Sequence, residues 1–201
     1  MNGAAEYSDL LAPHVGGEAL ERLSRYAGLV ERWSKRHNLV RFSSREELVR
    51  RHILDALAAA PLLEGSGRLL DVGSGAGLPG VPLLAVRPRW CGVLLEPRQK
   101  RWAFLKLVVR ELGLDAEVAR ARYQDLGAGP RFDLITTRAV GDHEALLRWA
   151  RARLTDGGEV AIWTTVDGQA RLEAVVGWRV LSSQQPGLEC GRLARLQPCF
   201  T

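Results

Sequence analysis

The sequence predicts an α/β fold in which a seven-stranded, mostly parallel sheet with a C-terminal antiparallel hairpin follows an N-terminal helical extension. Three patterns predict this fold: apolar residues at helical spacing fill the first sixty or so residues, short apolar strands then alternate with helical segments, and no helix-length segment separates the last two strands. A chain of 201 residues suits one globular domain with a modest extension. We therefore expect an extension at 1–66 and one α/β domain at 67–201.

The extension should contain two main helices. Over 18–36, apolar residues recur at spacings of three and four while the opposite face is charged. Ser44, with Glu47 three residues later, is typical of a capping box at a helix start. The second helix should run over 45–63 and be interrupted near Pro61.

The α/β domain should begin after a glycine turn at 65–67. Its short apolar segments are typical of buried strands and alternate with helical segments, which indicates a Rossmann-like sheet covered on both faces. The last two strands should pair antiparallel at one edge. The expected strands are 68–72, 92–96, 116–119, 132–137, 159–163, 178–183 and 192–197.

Composition limits the classes of function. A net charge of +5 and a pI near 9.6 fit a polyanionic partner, although such a balance also occurs in proteins that never bind nucleic acid. The apolar stretches are interrupted before they could span a bilayer, and residues 1–9 lack the pattern of a secretory signal, so we expect a cytoplasmic protein that binds no membrane. Cys91, Cys190 and Cys199 show no metal-ligand spacing. We expect them to be buried thiols and expect no metal site.

The segment DVGSGAGLPG at 71–80 lies between an apolar strand and a helix start. Glycines there allow a tight turn and let a nucleoside ligand approach the main chain. Gly75, Gly77 and Gly80 also match G-x-G-x-x-G, with Glu96 near the position of a ribose-binding acid, so a nicotinamide cofactor is an alternative. Asp71 favours the cationic donor S-adenosylmethionine, because a carboxylate beside a pyrophosphate is unfavourable. The terminal hairpin also disfavours a dehydrogenase, which usually continues into a substrate domain.

Several motifs along most of the chain carry a family resemblance. They are Trp33 with Asn38-Leu39, RHILD at 51–55, the loop at 71–82, Lys100-Arg101 with Phe104-Leu105, and Phe132-Asp133 followed by TRAV at 137–140. Through these motifs the sequence resembles the rRNA small-subunit methyltransferase G family, also called glucose-inhibited division protein B. The histidine-containing block ahead of the glycine loop is far more specific than a glycine loop alone.

The resemblance implies a class I methyltransferase that transfers a methyl group from S-adenosylmethionine to N7 of a guanine in 16S rRNA. Its partner would be 16S rRNA or the small ribosomal subunit, and we expect a monomer. Asp71 and Gly75 of the loop are expected to bind the donor. The resemblance adds Gly73 and Leu78 lining the donor pocket, Glu96 at the ribose, and Tyr123 and Gln124 at the adenine. It also places Arg138, the expected catalytic residue, where donor and acceptor meet. RNA contacts would rest on Arg32, Arg36, Arg41, Arg50, Arg51, Arg138 and Arg148.

Most of these residues also have an ordinary structural interpretation. Leu78 could only close the core, and Tyr123 could be a half-buried aromatic without a ligand. Glu96 could pair with the arginine two residues on, but its place at the carboxyl end of a strand favours ligand binding. His52 and Asp55 could join the extension to the core rather than contact substrate.

The sequence departs from the family pattern at several positions, and the donor site matches that pattern better than the acceptor site does. Thr164 stands where family members usually carry a lysine, and Gln124 replaces an acid expected beside the adenine. The alternatives are therefore a paralogue with a changed substrate, a non-catalytic nucleotide- or RNA-binding module, and, less favoured, an NAD(P)-binding oxidoreductase.

Overall fold

The computed structural model describes residues 2–127, 129–138, 141–184 and 191–199, and these residues form one seven-stranded sheet. Each strand predicted from the sequence is present, and no end differs from the prediction by more than five residues. The strands are β1 Gly67–Val72, β2 Trp90–Leu95, β3 Ala116–Ala119, β4 Phe132–Arg138, β5 Leu154–Thr164, β6 Trp178–Gln184 and β7 Arg192–Pro198. Ala139, Val140 and Cys190, which the sequence analysis also singled out, lie outside the described residues.

The strands are ordered β3-β2-β1-β4-β5-β7-β6. The first five run parallel to one another, and β7 pairs antiparallel with both β5 and β6. The predicted antiparallel hairpin is therefore confirmed, with its second strand inserted between β5 and the edge strand β6. The strand order reverses between β1 and β4, and in open α/β sheets ligands bind outside the carboxyl ends of the strands at such a switch point.

The helices of the extension follow the predicted positions but are more broken. Helix α2, predicted at 18–36, spans Gly17–His37 and ends at Asn38, whose φ of 47° ends the helix in the left-handed region. The Ser44 hydroxyl accepts from the Glu47 amide, as the capping motif predicts. The extension contains α1 Asn2–Leu11, α2, α3 Arg45–Leu48, a π-helix at Val49–Leu54, α4 Asp55–Leu57 and a 3₁₀ turn at Ala60–Leu62.

The predicted second helix is thus interrupted twice. A π-helix occupies Val49–Leu54, and only the later break, at the 3₁₀ turn that contains Pro61, was expected. A π segment carries one extra residue per turn and is frequent at functional sites. Here it directly precedes Asp55.

Helix α2 packs its apolar face against the α/β domain. Tyr26, Ala27 and Val30 have no exposed surface, and the Trp33 ring lies 5.2 Å from that of Phe104. The buried residues of the extension and those of the adjacent sheet face form one continuous cluster. The boundary at residue 66 therefore stays a prediction.

Four helices accompany the sheet after β1. They are α5 Gly80–Val86, α6 Gln99–Leu112, α7 His143–Arg151 and α8 Val166–Glu173. A second cluster, on the other side of the sheet, contains Leu146 and Leu147 of α7 with Leu172 of α8. The sheet is thus covered on both faces, as its apolar strands predicted.

No helix within the described ranges is long and apolar enough to cross a membrane. The described residues also contain no group of three metal-binding side chains. The expectation of buried thiols was wrong for Cys91 and Cys199, which are both half-exposed.

Candidate functional site

The loop that follows β1 bends through three glycines in the left-handed region. Their φ angles are 73° at Gly73, 58° at Gly75 and 96° at Gly77, a conformation that side chains strongly disfavour. The loop is tied to the neighbouring strand, because the Ser74 amide donates to the Leu95 carbonyl at 2.9 Å. The glycines therefore shape a fixed bend at the carboxyl edge of β1 and β2.

Asp71 lies under this bend with no exposed surface. One carboxylate oxygen accepts from the Gly80 amide at 3.2 Å, and the other accepts from the Thr136 hydroxyl at 2.9 Å. Burial raises the pKa of Asp71 from 3.8 to about 6, and the nearby Glu96 carboxylate adds to the rise. The group is thus a buried acid that holds the loop to the start of α5 and to β4.

Glu96 follows β2 and is 3% exposed. Its carboxylate accepts from the Gly75 amide at 3.0 Å and from the Arg98 amide at 2.8 Å. The contact with Arg98 is to its main chain, so the structure does not show the surface ion pair considered from the sequence. Two carboxyl groups, Asp71 and Glu96, therefore lie on either side of the glycine bend.

The loop is also packed too closely for larger residues. A Cβ built on Gly77 would lie 2.6 Å from the Val81 side chain, and one on Gly80 would lie 2.7 Å from the Asp71 carboxylate. At Gly75 the nearest atoms, one of them in the Arg101 guanidinium, are 3.7 Å away. The close packing thus requires glycine at 77 and 80, whereas a Cβ at Gly75 would make only ordinary van der Waals contacts.

Leu78, Tyr123 and Gln124 lie in loops at the same edge of the sheet and differ in how exposed they are. Leu78 is 8% exposed, and its amide donates to the Ser74 carbonyl. Tyr123 begins a 3₁₀ turn at Tyr123–Asp125 after β3, is buried, and stacks edge-on against Trp149 at 5.2 Å. Gln124 is exposed beside it. Tyr123 is more buried than an ordinary half-buried aromatic, and its contacts within the core leave its role at the adenine a prediction.

Arg138 ends β4 and reaches across to the extension. Its guanidinium lies 3.2 Å from the Asp55 carboxylate, 3.3 Å from Nδ1 of His52 and 3.4 Å from the Arg51 carbonyl. Burial and the nearby Arg138 cation lower the pKa of His52. A neutral ring can accept from the guanidinium at Nδ1. His52 and Asp55 therefore join the extension to the sheet edge, which is the structural alternative considered above.

Asp55 is held from a second side. It is 6% exposed, and its main-chain carbonyl accepts from the Trp163 indole at 3.2 Å. Burial raises the pKa of Asp55 to about 6, against the opposing effect of the Arg138 cation. Arg138 and Trp163 are register partners on β4 and β5, so both strands contact the same short segment of the extension.

A crevice of about 680 Å³ opens beside these two strand ends. Its lining includes Asp142, Trp163, Thr164 and Thr165. Thr164, which occupies the position of the expected lysine, thus lines this crevice.

Three contacts of the site were not anticipated from the sequence. Tyr26 of α2 donates its hydroxyl to the Ala76 carbonyl in the middle of the loop at 2.8 Å. Thr136 binds Asp71 from β4, and Trp163 binds Asp55 from β5. The partners are 50 to 108 residues apart in the chain, and no local pattern indicates such contacts. The sequence offered one indication of these contacts: Tyr26, Thr136 and Trp163 each bring a polar atom to a position that is otherwise expected to be apolar and buried.

Comparison with known proteins adds the family. A family model described as rRNA small subunit methyltransferase G matches residues 19–174. Ribosomal RNA small subunit methyltransferase G from Syntrophotalea carbinolica is 39% identical over 156 residues, which cover 76% of this chain and 72% of that protein. The protein of the same name from Neisseria gonorrhoeae is 33% identical over 187 residues, covering 90% of both chains.

Solved structures agree on the fold. A ribosomal protein L11 methylase from Lactobacillus delbrueckii subsp. bulgaricus has a TM-score of 0.64 at 12% identity, covering 79% of this chain and 81% of its own. The glycopeptide N-methyltransferase MtfA, solved with S-adenosyl-L-methionine, has a TM-score of 0.62 at 13% identity, covering 72% and 93%. Together with the sequence matches, the fold and the glycine loop lead to one conclusion: the chain belongs to the rRNA small subunit methyltransferase G family.

Proposed function

We propose that this chain transfers a methyl group from S-adenosylmethionine to N7 of a guanine in 16S rRNA. The observation that carries the proposal is the glycine bend between two buried carboxyl groups, Asp71 and Glu96, in a chain of this family. Acidic groups complement the positive charge of a sulfonium nucleoside. Next to the pyrophosphate of a nicotinamide dinucleotide, Asp71 would be repulsive.

The residues present fit the methyl donor. The loop is packed less tightly at Gly75, where a Cβ would meet no atom closer than 3.7 Å, than at Gly77 or Gly80. Gly73 and Leu78 border the same bend. Glu96 already accepts hydrogen bonds from two backbone amides. A carboxylate has further lone pairs, with which Glu96 can also accept hydrogen bonds from the ribose hydroxyls. Tyr123 would border the adenine from the end of β3.

Guanine N7 carries an in-plane lone pair and no proton at neutral pH, so the protein needs no general base to create the nucleophile. When bound, the donor supplies an electrophilic methyl group on a cationic sulfur. The protein's task is to align N7 with that methyl group and to exclude water, which is catalysis by proximity and orientation. Arg138, at the end of β4 between the loop and the crevice beside Thr164, is the residue we assign to the meeting point of donor and acceptor.

The topology supports a position for the acceptor in the crevice beside β5. The donor loop lies at the ends of β1 and β2, and the crevice lies at the ends of β4 and β5. Thr164 cannot supply the cationic phosphate contact of a lysine, so other basic residues must hold the RNA. A ribosomal substrate would place the protein in the cytoplasm, acting as a monomer on 16S rRNA or the small subunit.

Two measurements test the proposal. Calorimetry should show binding of S-adenosylmethionine and none of NADH. Methyl transfer should then be measured with labelled donor on naked 16S transcripts and on small subunits that lack the modification. A transcript made with 7-deazaguanosine is the matched control, because it lacks only the acceptor nitrogen and should take up no label.

The outcomes separate the alternatives. Label in the guanosine transcript or subunits but not in the 7-deaza transcript supports N7 transfer. Equal label in both transcripts would indicate another acceptor atom and hence a changed substrate. Tight donor binding with no transfer to either RNA substrate would favour a non-catalytic module. This alternative arises because Thr164 stands where family members usually carry a lysine. Binding of NADH alone would overturn the proposal.

A further inference from the structure

A buried hydrogen bond connects the N-terminal extension to the glycine loop. Tyr26 lies on α2 with no exposed surface, and its hydroxyl donates to the Ala76 carbonyl at 2.8 Å. Ala76 lies between Gly75 and Gly77, whose φ angles are 58° and 96°. The contact therefore holds the middle of the bend from a helix that precedes the sheet in the chain.

A loop of this kind depends on outside contacts for its shape. Glycine loses more conformational freedom on folding than any other residue, so a bend with a glycine on each side of Ala76 has little intrinsic preference for one conformation. When a binding site is already ordered, none of the binding free energy is used to order it, so its affinity for the ligand is higher. A contact that fixes the Ala76 peptide should thus favour ligand binding at the loop.

The surroundings of Tyr26 keep its hydroxyl a donor. Burial holds the pKa of Tyr26 well above its usual range, and the Asp71 carboxylate raises it further. The phenol consequently stays protonated and can donate to the carbonyl throughout the range in which the protein would work.

We propose that Tyr26 is a positioning residue for the methyl donor: its hydroxyl fixes the Ala76 peptide and so preorganises the loop, making the N-terminal extension part of the donor site. This inference rests on the proposed function, because it takes S-adenosylmethionine as the loop's ligand. Tyr26 acts through the main chain of the loop.

The extension offers a matched control in Tyr7. Tyr7 is also fully buried and also uses its hydroxyl as a donor, at 3.3 Å from the Glu31 carboxylate, away from the loop. Y26F and Y7F each remove one hydroxyl and keep the ring. We expect Y26F to bind S-adenosylmethionine roughly 3- to 10-fold more weakly than the wild type, the range expected for one lost hydrogen bond, and Y7F to bind it as the wild type does.

Hydrogen exchange of the apo protein provides a second readout that does not depend on the donor. The amides of Gly75 and Gly77 should exchange faster in Y26F than in Y7F at equal global stability, measured by urea unfolding. Equal donor affinity in the two variants, or equal exchange at these amides, would overturn the role of Tyr26. If the wild type bound no donor, the proposed function would fail instead, and the exchange data would still decide whether Tyr26 orders the loop.

Discussion

Replacing Asp71 by asparagine should stabilise the protein at neutral pH and weaken its binding of the methyl donor. The asparagine side chain has the same shape, and its oxygen can accept from the Gly80 amide while its NH₂ group donates to the Thr136 hydroxyl. Both hydrogen bonds of the buried carboxylate can therefore be kept. The main change is the loss of a buried charge that has no cation among its hydrogen-bond partners.

The size of the effect follows from the raised pKa. Burial raises the pKa of Asp71 from 3.8 to about 6, and one pKa unit corresponds to about 1.4 kcal/mol, so the charged form costs about 3 kcal/mol. Because the folded pKa is above the unfolded one, the carboxyl group's contribution to stability is fully present below pH 4. It is lost as the pH rises through 6. The advantage of Asp71→Asn should thus grow from pH 4 to pH 8 by about 2 to 2.5 kcal/mol.

Urea unfolding of wild type and variant at intervals from pH 4 to pH 8 measures this difference. Donor affinity, measured by calorimetry at pH 8, should fall roughly tenfold, because the complement to the cationic sulfonium is lost. Asp133→Asn is the control for affinity: Asp133 also accepts from a backbone amide and a threonine hydroxyl, those of Arg68 and Thr155, but lies at the opposite end of β4. A stability difference that stays constant from pH 4 to pH 8, or one that shrinks as the pH rises, would refute the reasoning.

Three further changes test the packing, the acceptor side and the arginine. Gly80→Ala places a Cβ 2.7 Å from two buried side chains and should cost about 1 to 3 kcal/mol in urea unfolding, whereas Gly127→Ala, which meets no atom within 4 Å, should cost much less. Thr164→Lys should steepen the dependence of log RNA affinity on log salt by about 0.7 to 1, the contribution of one phosphate contact; an unchanged slope would place residue 164 away from the RNA. Asp55→Asn removes the carboxylate beside Arg138. It should lower kcat roughly tenfold, which corresponds to an activation free energy higher by about 1.4 kcal/mol, and should leave donor affinity unchanged. An unchanged kcat would show that the ion pair does not support catalysis.

The sequence predicted most of the fold because the signals involved are local. Strand and helix periodicity, the capping serine at Ser44 and the missing helix before the last strand are all read within short windows. Their positions in the structure differ mainly at the ends of elements. The π-helix at Val49–Leu54 was not anticipated, because an extra residue in one turn leaves the apolar spacing almost unchanged.

The candidate site was predictable only where its residues lie on one loop. The glycine bend and Asp71 are adjacent in the sequence, and Glu96 follows at a characteristic distance along the chain, so their proximity was expected. The roles assigned to Leu78, Tyr123, Gln124 and Arg138 depended on family resemblance, and they stay predictions.

By itself, the sequence determined the order of the elements, the family and the chemistry available at the end of β1, because each of these depends on residue type and on short spacings. Tertiary structure decided which distant polar groups meet: Tyr26 with the loop, Asp55 with Arg138, and Trp163 with Asp55. Those pairings arise from packing the extension against the carboxyl edge of the sheet. A buried polar group needs a hydrogen-bond partner, and that partner can come from any segment that the packing brings close. The spacing of residues along the sequence therefore does not indicate which partner it will be.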